Sequence, residues 1–409
     1  MNDSISLQQL ANGVRILGER VPGRRQVALA VTALRGSRHQ KPHENGFAHL
    51  LEHMLFKGAG EYGAAEINRL GEALGGTLNA FTDRESITLH LTVLEEDLAQ
   101  GLDLLADLLL RPRLQTSDLA LERAVVAQEI AMAAEDLEDH LHERVAAAFW
   151  GDHALGWPVL GKASIVRRAS AARLRAFHGA YLATAPILVA AVGAVDGETL
   201  LRQVEKRFGE LAPRATPPRD RTPSPQLGIQ RQQRNAQARQ AHLLWMAAAS
   251  AFGAGDHLAE LFANHILGAG MASRLFQELR ERRGLAYQTY SQLEALSDTG
   301  EWSLYAAVPR RKHREAGRAI AEILSDLAAV GPTAEEMRWS REGLRKQWLL
   351  GQEDLETRLA RRLRQVAQGG ALRSDAEMLE QLRSISAADV QRIYARSWQQ
   401  RLEWILLPA

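Results

Sequence analysis

The sequence predicts an α+β protein made of two homologous domains, each a mainly antiparallel sheet covered by helices. Three observations predict it. β-type runs and amphipathic helical stretches are mixed within each half of the 409 residues rather than segregated. Five of the 13 prolines fall between Pro213 and Pro225, a polar stretch that reads as an extended linker. The elements on either side of it follow one order. The expected division is therefore a first domain over 1–212, a linker over 213–225 and a second domain over 226–409.

In the first half, β-type runs at 13–21 and 27–34 precede an apolar helix from Gly46 to Phe56 and a second helix near 64–74. Two further β-type runs follow at 77–82 and 87–93, then helices near 95–110 and 117–134. The second half repeats this with a strand at 240–248, helices at 256–267 and 272–282, strands near 286–293 and 302–308, and a helix at 311–330. Gly58-Ala59-Gly60 follows the first apolar helix and Gly268-Ala269-Gly270 the second. Neither fits a phosphate-loop pattern, and both read as helix C-caps.

The apolar helix carries His49-Leu50-Leu51-Glu52-His53. Residues four apart on a helix lie one turn above each other, so His49 and His53 share a face, and Glu52 joins it. Burying three such side chains without a partner is costly. A divalent metal satisfies two imidazoles, with the carboxylate placed to handle a water. This is the His-x-x-Glu-His order, the inverse of the commoner zinc motif. In the second half the corresponding run is Leu261-Phe262-Ala263-Asn264-His265. Its first histidine has become Leu261 and its glutamate Asn264, so that copy is not expected to hold metal.

Composition narrows the chemistry. With 46% hydrophobic and 24% charged residues the chain is ordinary globular protein. A formal charge of +1 gives no support for nucleic acid or an acidic membrane as partner. There is no cysteine, so any metal must use His, Asp or Glu. Neither a signal peptide nor a long apolar run is seen, and the cytoplasm is the expected location.

A catalytic zinc takes three protein ligands and keeps one position open. The helix after Ser117 offers Glu122 and Glu129, seven apart on one face, with Glu129 in the less polar part. His43, His140 and His142 compete by spacing, although Asp139-His140-Leu141-His142-Glu143 is charged enough to read as solvated.

Taken together, several separated motifs resemble the pitrilysin family of inverted-motif zinc peptidases, which includes insulin-degrading enzyme and the mitochondrial processing peptidase. They are Arg35-Gly36-Ser37, Gly46 through Gly58, Gly75 through Thr82, Glu122 through Ile130, Gly156 through Gly161, Ser273 through Arg280 and Gly284 through Tyr287. The match spans nearly the whole chain and is most similar to the short bacterial two-domain members. The resemblance implies His49, His53 and Glu129 as ligands of one Zn2+ per chain. It implies Glu52 as general base and Glu122 as an accessory acid that orients the ligand shell. Arg280 and Tyr287 would grip substrate, Tyr287 also as a donor to the oxyanion. Asn79, Ala80, Phe81 and Thr82 would form the edge strand that pairs with substrate backbone.

The implied activity is that of a zinc endopeptidase cleaving unfolded peptides inside a chamber closed like a clamshell by two chains. A homodimer is the expected assembly, with a heterodimer with a zinc-less paralogue as the alternative. Two further readings stay open: a dedicated processor of one precursor, such as that of pyrroloquinoline quinone, and a non-catalytic scaffold or partner subunit of the same fold.

Overall fold

A computed structural model describes residues 5–213, 222, 224–369 and 372–409. Most of the linker expected at 213–225 lies outside the described residues. The chain packs as two compact units. The first comprises Met1–Glu135, His153–Asp220 and Gly351–Ala367, and the second Asp136–Asp152, Arg221–Leu350 and Gln368–Ala409. Each unit therefore incorporates one helix from the other half of the chain.

The first unit holds a six-stranded sheet of β1 (Ile5–Gln9), β2 (Arg15–Arg20), β3 (Gln26–Ala33), β4 (Asn79–Thr82), β5 (Ile87–Leu94) and β6 (Ile187–Gly193). Their order across the sheet is β1-β2-β6-β3-β5-β4. All neighbours are antiparallel except β2 and β6. Period-2 alternation sends Val27, Leu29, Val31, Leu89 and Leu91 into one core with the motif helix Phe47–Leu55 and the helix Leu98–Leu110.

The opposite face carries Glu19, Ala28, Ala30, Thr32, Thr88 and Thr92, and the late helix Leu355–Ala367 packs there against β3 and β6. Small side chains on the strands let that helix approach. Fully buried Glu19 is met by Arg358 and by Arg362, whose Nε lies 2.8 Å from Glu19 Oε2. At the strand edge Thr92 donates to Glu356 over 3.0 Å.

The second unit repeats the plan with β7 (Gln230–Asn235), β8 (Ala241–Ala249), β9 (Gln288–Ala295), β10 (Gly300–Val308) and β11 (Leu402–Pro408). The order is β9-β10-β8-β11-β7, with only β11 and β7 parallel. Strand for strand, β7, β11, β8, β10 and β9 match β2, β6, β3, β5 and β4. The duplication read from element order is thus present in the hydrogen-bond topology. One face packs on the helices His257–Leu267 and His313–Ala329. The other receives the helix Leu137–Trp150.

In that last helix the reading of 139–143 as solvated fits exposed Asp139 but not Leu141, which is buried, or His142, which is bonded. Glu138 accepts from Tyr290 Oη at 2.7 Å and from Gln288 at 2.9 Å, while Tyr290 Oη in turn accepts from His142 Nε2 at 2.9 Å. Charged residues sit there because β9 supplies partners. The glycine reading also divides. Gly268 does cap its helix, but Gly58-Ala59 pairs with Tyr62-Gly63 as a two-residue ribbon, and Phe56 is the cap of the motif helix. The helix expected at 272–282 contains a widened π-helical stretch over Phe276–Arg282. No helix among the described residues is long and apolar enough to cross a membrane.

Candidate metal centre

Local chemistry fixes where the motif helix begins. Gly46 precedes it at φ 100°, a conformation that a side chain rarely adopts. A Cβ on Gly161 would lie 2.1 Å from Gly46 Cα, so the loop ending at Gly161 packs directly on the helix N-terminus. Ala48 N–H donates to Gln40 Oε1 at 2.9 Å, and Asn45 Nδ2 donates to Pro158 O at 3.1 Å. Phe47, Leu50, Leu51, Met54 and Leu55 are buried, which turns His49, Glu52 and His53 towards the helix Thr116–Glu135 and strand β4.

His49, His53 and Glu129 each offer an atom within 4.8 Å of the others, the only such group among the described residues. His49 Nε2 lies 3.7 Å and His53 Nε2 3.5 Å from Glu129 Oε2. Four-coordinate zinc with bonds near 2.0–2.2 Å needs donors roughly 3.3–3.6 Å apart, so the set fits after small adjustments. Burial, with a smaller contribution from the neighbouring His53, lowers the His49 pKa to about 4, leaving one ring nitrogen with a free lone pair at neutral pH. His49 Nδ1 is buried and has no hydrogen-bond partner.

Beyond these three, Glu122 Oε2 lies 3.1 Å from His53 Nδ1. A carboxylate only accepts, so the proton sits on Nδ1 and Nε2 presents its lone pair towards Glu129. Glu122 Oε1 takes Lys57 Nζ at 2.7 Å. Lys57 follows His53 by four residues, but nothing local in the sequence names its partner.

Glu52 accepts from Thr82 Oγ1 at 2.5 Å. Burial raises the Glu52 pKa, and the Thr82 bond only partly offsets this. The strand Asn79–Thr82 is an edge of its sheet. Ala80 and Thr82 face the motif helix, whereas Asn79 and Phe81 point to the other face, with Phe81 exposed beside His90. The tie between Thr82 and the acid of the motif was not visible in the sequence.

In the second unit, the Arg280 guanidinium lies between the rings of Phe276 and Tyr287, 4.7 Å from each centroid, and Tyr287 is 79% exposed. Asn264, opposite Glu52 in the repeat, accepts from Ser291 Oγ at 2.7 Å and Trp302 Nε1 at 2.9 Å. His265 is bonded to Ser340. The second copy has thus turned its motif positions into structural hydrogen bonds. Of the competing histidines, His43 is exposed next to Glu44 and His142 belongs to the second unit.

An inverted His-x-x-Glu-His helix, meeting a glutamate from a neighbouring helix within a duplicated α+β fold, is compatible with a zinc-peptidase type of centre. Residues 15–163 match the family model described as Insulinase (Peptidase family M16), and residues 168–344 the one described as Peptidase M16 inactive domain. An uncharacterized zinc protease of Mycobacterium leprae (strain TN) is 35% identical over 93% of this chain and 86% of its own length. The uncharacterized zinc protease YmxG of Bacillus subtilis (strain 168) is 32% identical over 86% of this chain and 85% of its own.

Among solved structures, one described as a protease from Helicobacter pylori superposes with a TM-score of 0.90 at 21% identity, covering 99% of this chain and all of that one. A peptidase M16 inactive domain from Pseudomonas fluorescens gives 0.89 at 17% identity, covering 99% of this chain and 98% of that one. These two carry the fold only. The chain belongs to peptidase family M16, the insulinase family, and has its two-domain short bacterial form.

Proposed function

We propose that the protein is a zinc-dependent endopeptidase acting on extended, unfolded peptides. The observation that carries this is the approach of His49 Nε2 and His53 Nε2 to Glu129, with Glu52 on the same helix and bonded to an edge strand. His49, His53 and Glu129 would hold the ion. When bound, zinc supplies a Lewis acid that acidifies water and polarises a carbonyl.

The chain's own residues do the rest. Glu52 takes the proton of the attacking water and delivers it to the departing amine. Thr82 fixes which carboxylate oxygen is free. As an edge strand, Asn79–Thr82 would add a substrate strand through main-chain hydrogen bonds once Ala80 N–H leaves Asn79 Oδ1, so side-chain selectivity would be loose. Glu122 keeps His53 in its tautomer. A quenched, unstructured peptide should be hydrolysed by the purified protein, lost on chelation and regained on adding Zn2+, while a stably folded protein is spared. Hydrolysis that persists after complete metal removal would refute the proposal.

We further propose that two copies pair, each first domain completed by the partner's Arg280 and Tyr287. Mixing Glu52→Gln with Tyr287→Phe should then restore activity that neither variant has alone, through hybrid dimers. Mixtures no more active than their components would count against a shared site.

A further inference from the structure

Lys57 is not part of the ligand set or of the proton path described above, yet it makes the shortest ionic contact in this region. Its ammonium lies 2.7 Å from Glu122 Oε1, while Glu122 Oε2 lies 3.1 Å from His53 Nδ1. The two carboxylate oxygens are thus each assigned to one partner. Lys57 follows the end of the motif helix, and its backbone N–H donates to Met54 O at 3.2 Å, so its position is tied to the turn that closes that helix.

The burials differ sharply. The Glu122 side chain is 8% exposed and that of Lys57 36%. Glu122 extends from the helix Thr116–Glu135, and a carboxylate there could rotate to offer His53 either oxygen or neither. The ammonium removes that freedom. We propose that Lys57 is a positioning residue of the metal centre: by clamping one oxygen of Glu122 it fixes the other on His53 Nδ1 and so sets the orientation of His53 Nε2. The proposal rests on the metal-centre reading.

A second effect of Lys57 has the opposite sign. As a cation it repels a divalent ion, and on that account alone its removal would tighten metal binding. Its ammonium is partly in solvent, which screens this repulsion. The clamp acts through contacts of hydrogen-bond length and is the larger effect.

The test is the zinc dissociation constant, measured by competition with a chromophoric chelator, for wild type, Lys57→Met, Lys57→Arg, Glu122→Gln and the Lys57→Met/Glu122→Gln double variant. Apo-protein melting is followed in parallel to show that each folds. Lys57→Met is expected to weaken zinc about tenfold, the lower end of what loss of an outer partner of a ligand costs. Lys57→Arg should restore most of it. In the Glu122→Gln background the same change should no longer weaken binding. A wild type that does not bind zinc would overturn the metal-centre reading and the clamp together. Zinc bound normally by wild type, but equally or more tightly by Lys57→Met, would overturn the clamp alone. So would an equal loss in both backgrounds.

Discussion

Replacing Glu52 with glutamine is expected to lower kcat for peptide hydrolysis by about 100- to 10,000-fold, the range attributed to a positioned general base. Zinc content should be unchanged, because the carboxylate stands outside the trio of His49, His53 and Glu129. The amide keeps the shape of the side chain and can still accept from Thr82 Oγ1, so the helix and the edge strand keep their spacing. What is lost is the capacity to carry a proton. Burial, which raises the proton affinity of Glu52 above that of an ordinary carboxylate, suits it to hold that proton between its removal from water and its delivery to the amine. Determining kcat, KM and bound zinc on one preparation checks this. A variant that loses zinc along with activity would make Glu52 a ligand, and one that keeps full activity would remove it from the mechanism.

The second large effect concerns stability. Glu19 is fully buried, with Arg362 Nε at 2.8 Å and Arg358 on its other oxygen. Glu19→Gln is expected to destabilise the first unit by about 3–5 kcal/mol, the cost of taking one member from a buried ion pair. Its melting temperature should fall by roughly 10 °C for a unit of this size.

The pH dependence follows from the same contacts. Burial pushes the Glu19 pKa up, but the hydrogen bonds and charges of Arg362 and Arg358 outweigh it, and the net shift is downward. A carboxyl whose folded pKa is depressed stabilises the protein at pH above its unfolded value. That stabilisation is lost as the pH falls from the ordinary carboxylate range through the depressed one. Wild type should therefore lose stability in acid more steeply than Glu19→Gln, and the two melting curves should draw together. A constant gap between them down to the lowest pH would show that the charge of Glu19 is not what matters.

Much of the site was legible because a helix converts sequence spacing directly into geometry. His49 and His53, four apart in an apolar run, had to share a face, and Glu52 with them. The third ligand was not fixed in this way. Spacing left Glu129 open beside His43, His140 and His142, since it arrives on another helix and only tertiary packing brings Glu129 Oε2 to within 3.5 Å of His53 Nε2. The resemblance to the pitrilysin family, not periodicity, singled it out.

In the fold, the strands near 13–21, 27–34, 77–82, 87–93, 240–248, 286–293 and 302–308 were read from sequence, whereas Ile5–Gln9, Ile187–Gly193, Gln230–Asn235 and Leu402–Pro408 were not. Gln230–Asn235 is a wholly polar edge strand, held by backbone pairing with β11, and its sequence has no alternation to read. Ile5–Gln9 alternates Ile, Ser, Leu and Gln, but it is short and its Leu7 is exposed at the edge of its sheet. The helix Leu137–Trp150 misled for a further reason. His142, within a charged run, looks solvent-facing until Tyr290, about 150 positions later in the chain, supplies the matching hydroxyl.

The exchange of helices between chain halves also has a consequence for synthesis. When the ribosome has released the last strand of the six-stranded sheet, ending at Gly193, one face of that sheet still lacks its cover. The cover, Leu355–Ala367, emerges only after most of the second sheet has been made, and Glu19 waits as a buried-to-be carboxylate without its arginines until then. The nascent first unit cannot reach its final form one domain at a time. Its last step belongs to a nearly finished chain, and during that interval the cell sees a strand face that mixes Leu17, Leu188 and Val192 with Glu19, alanines and threonines.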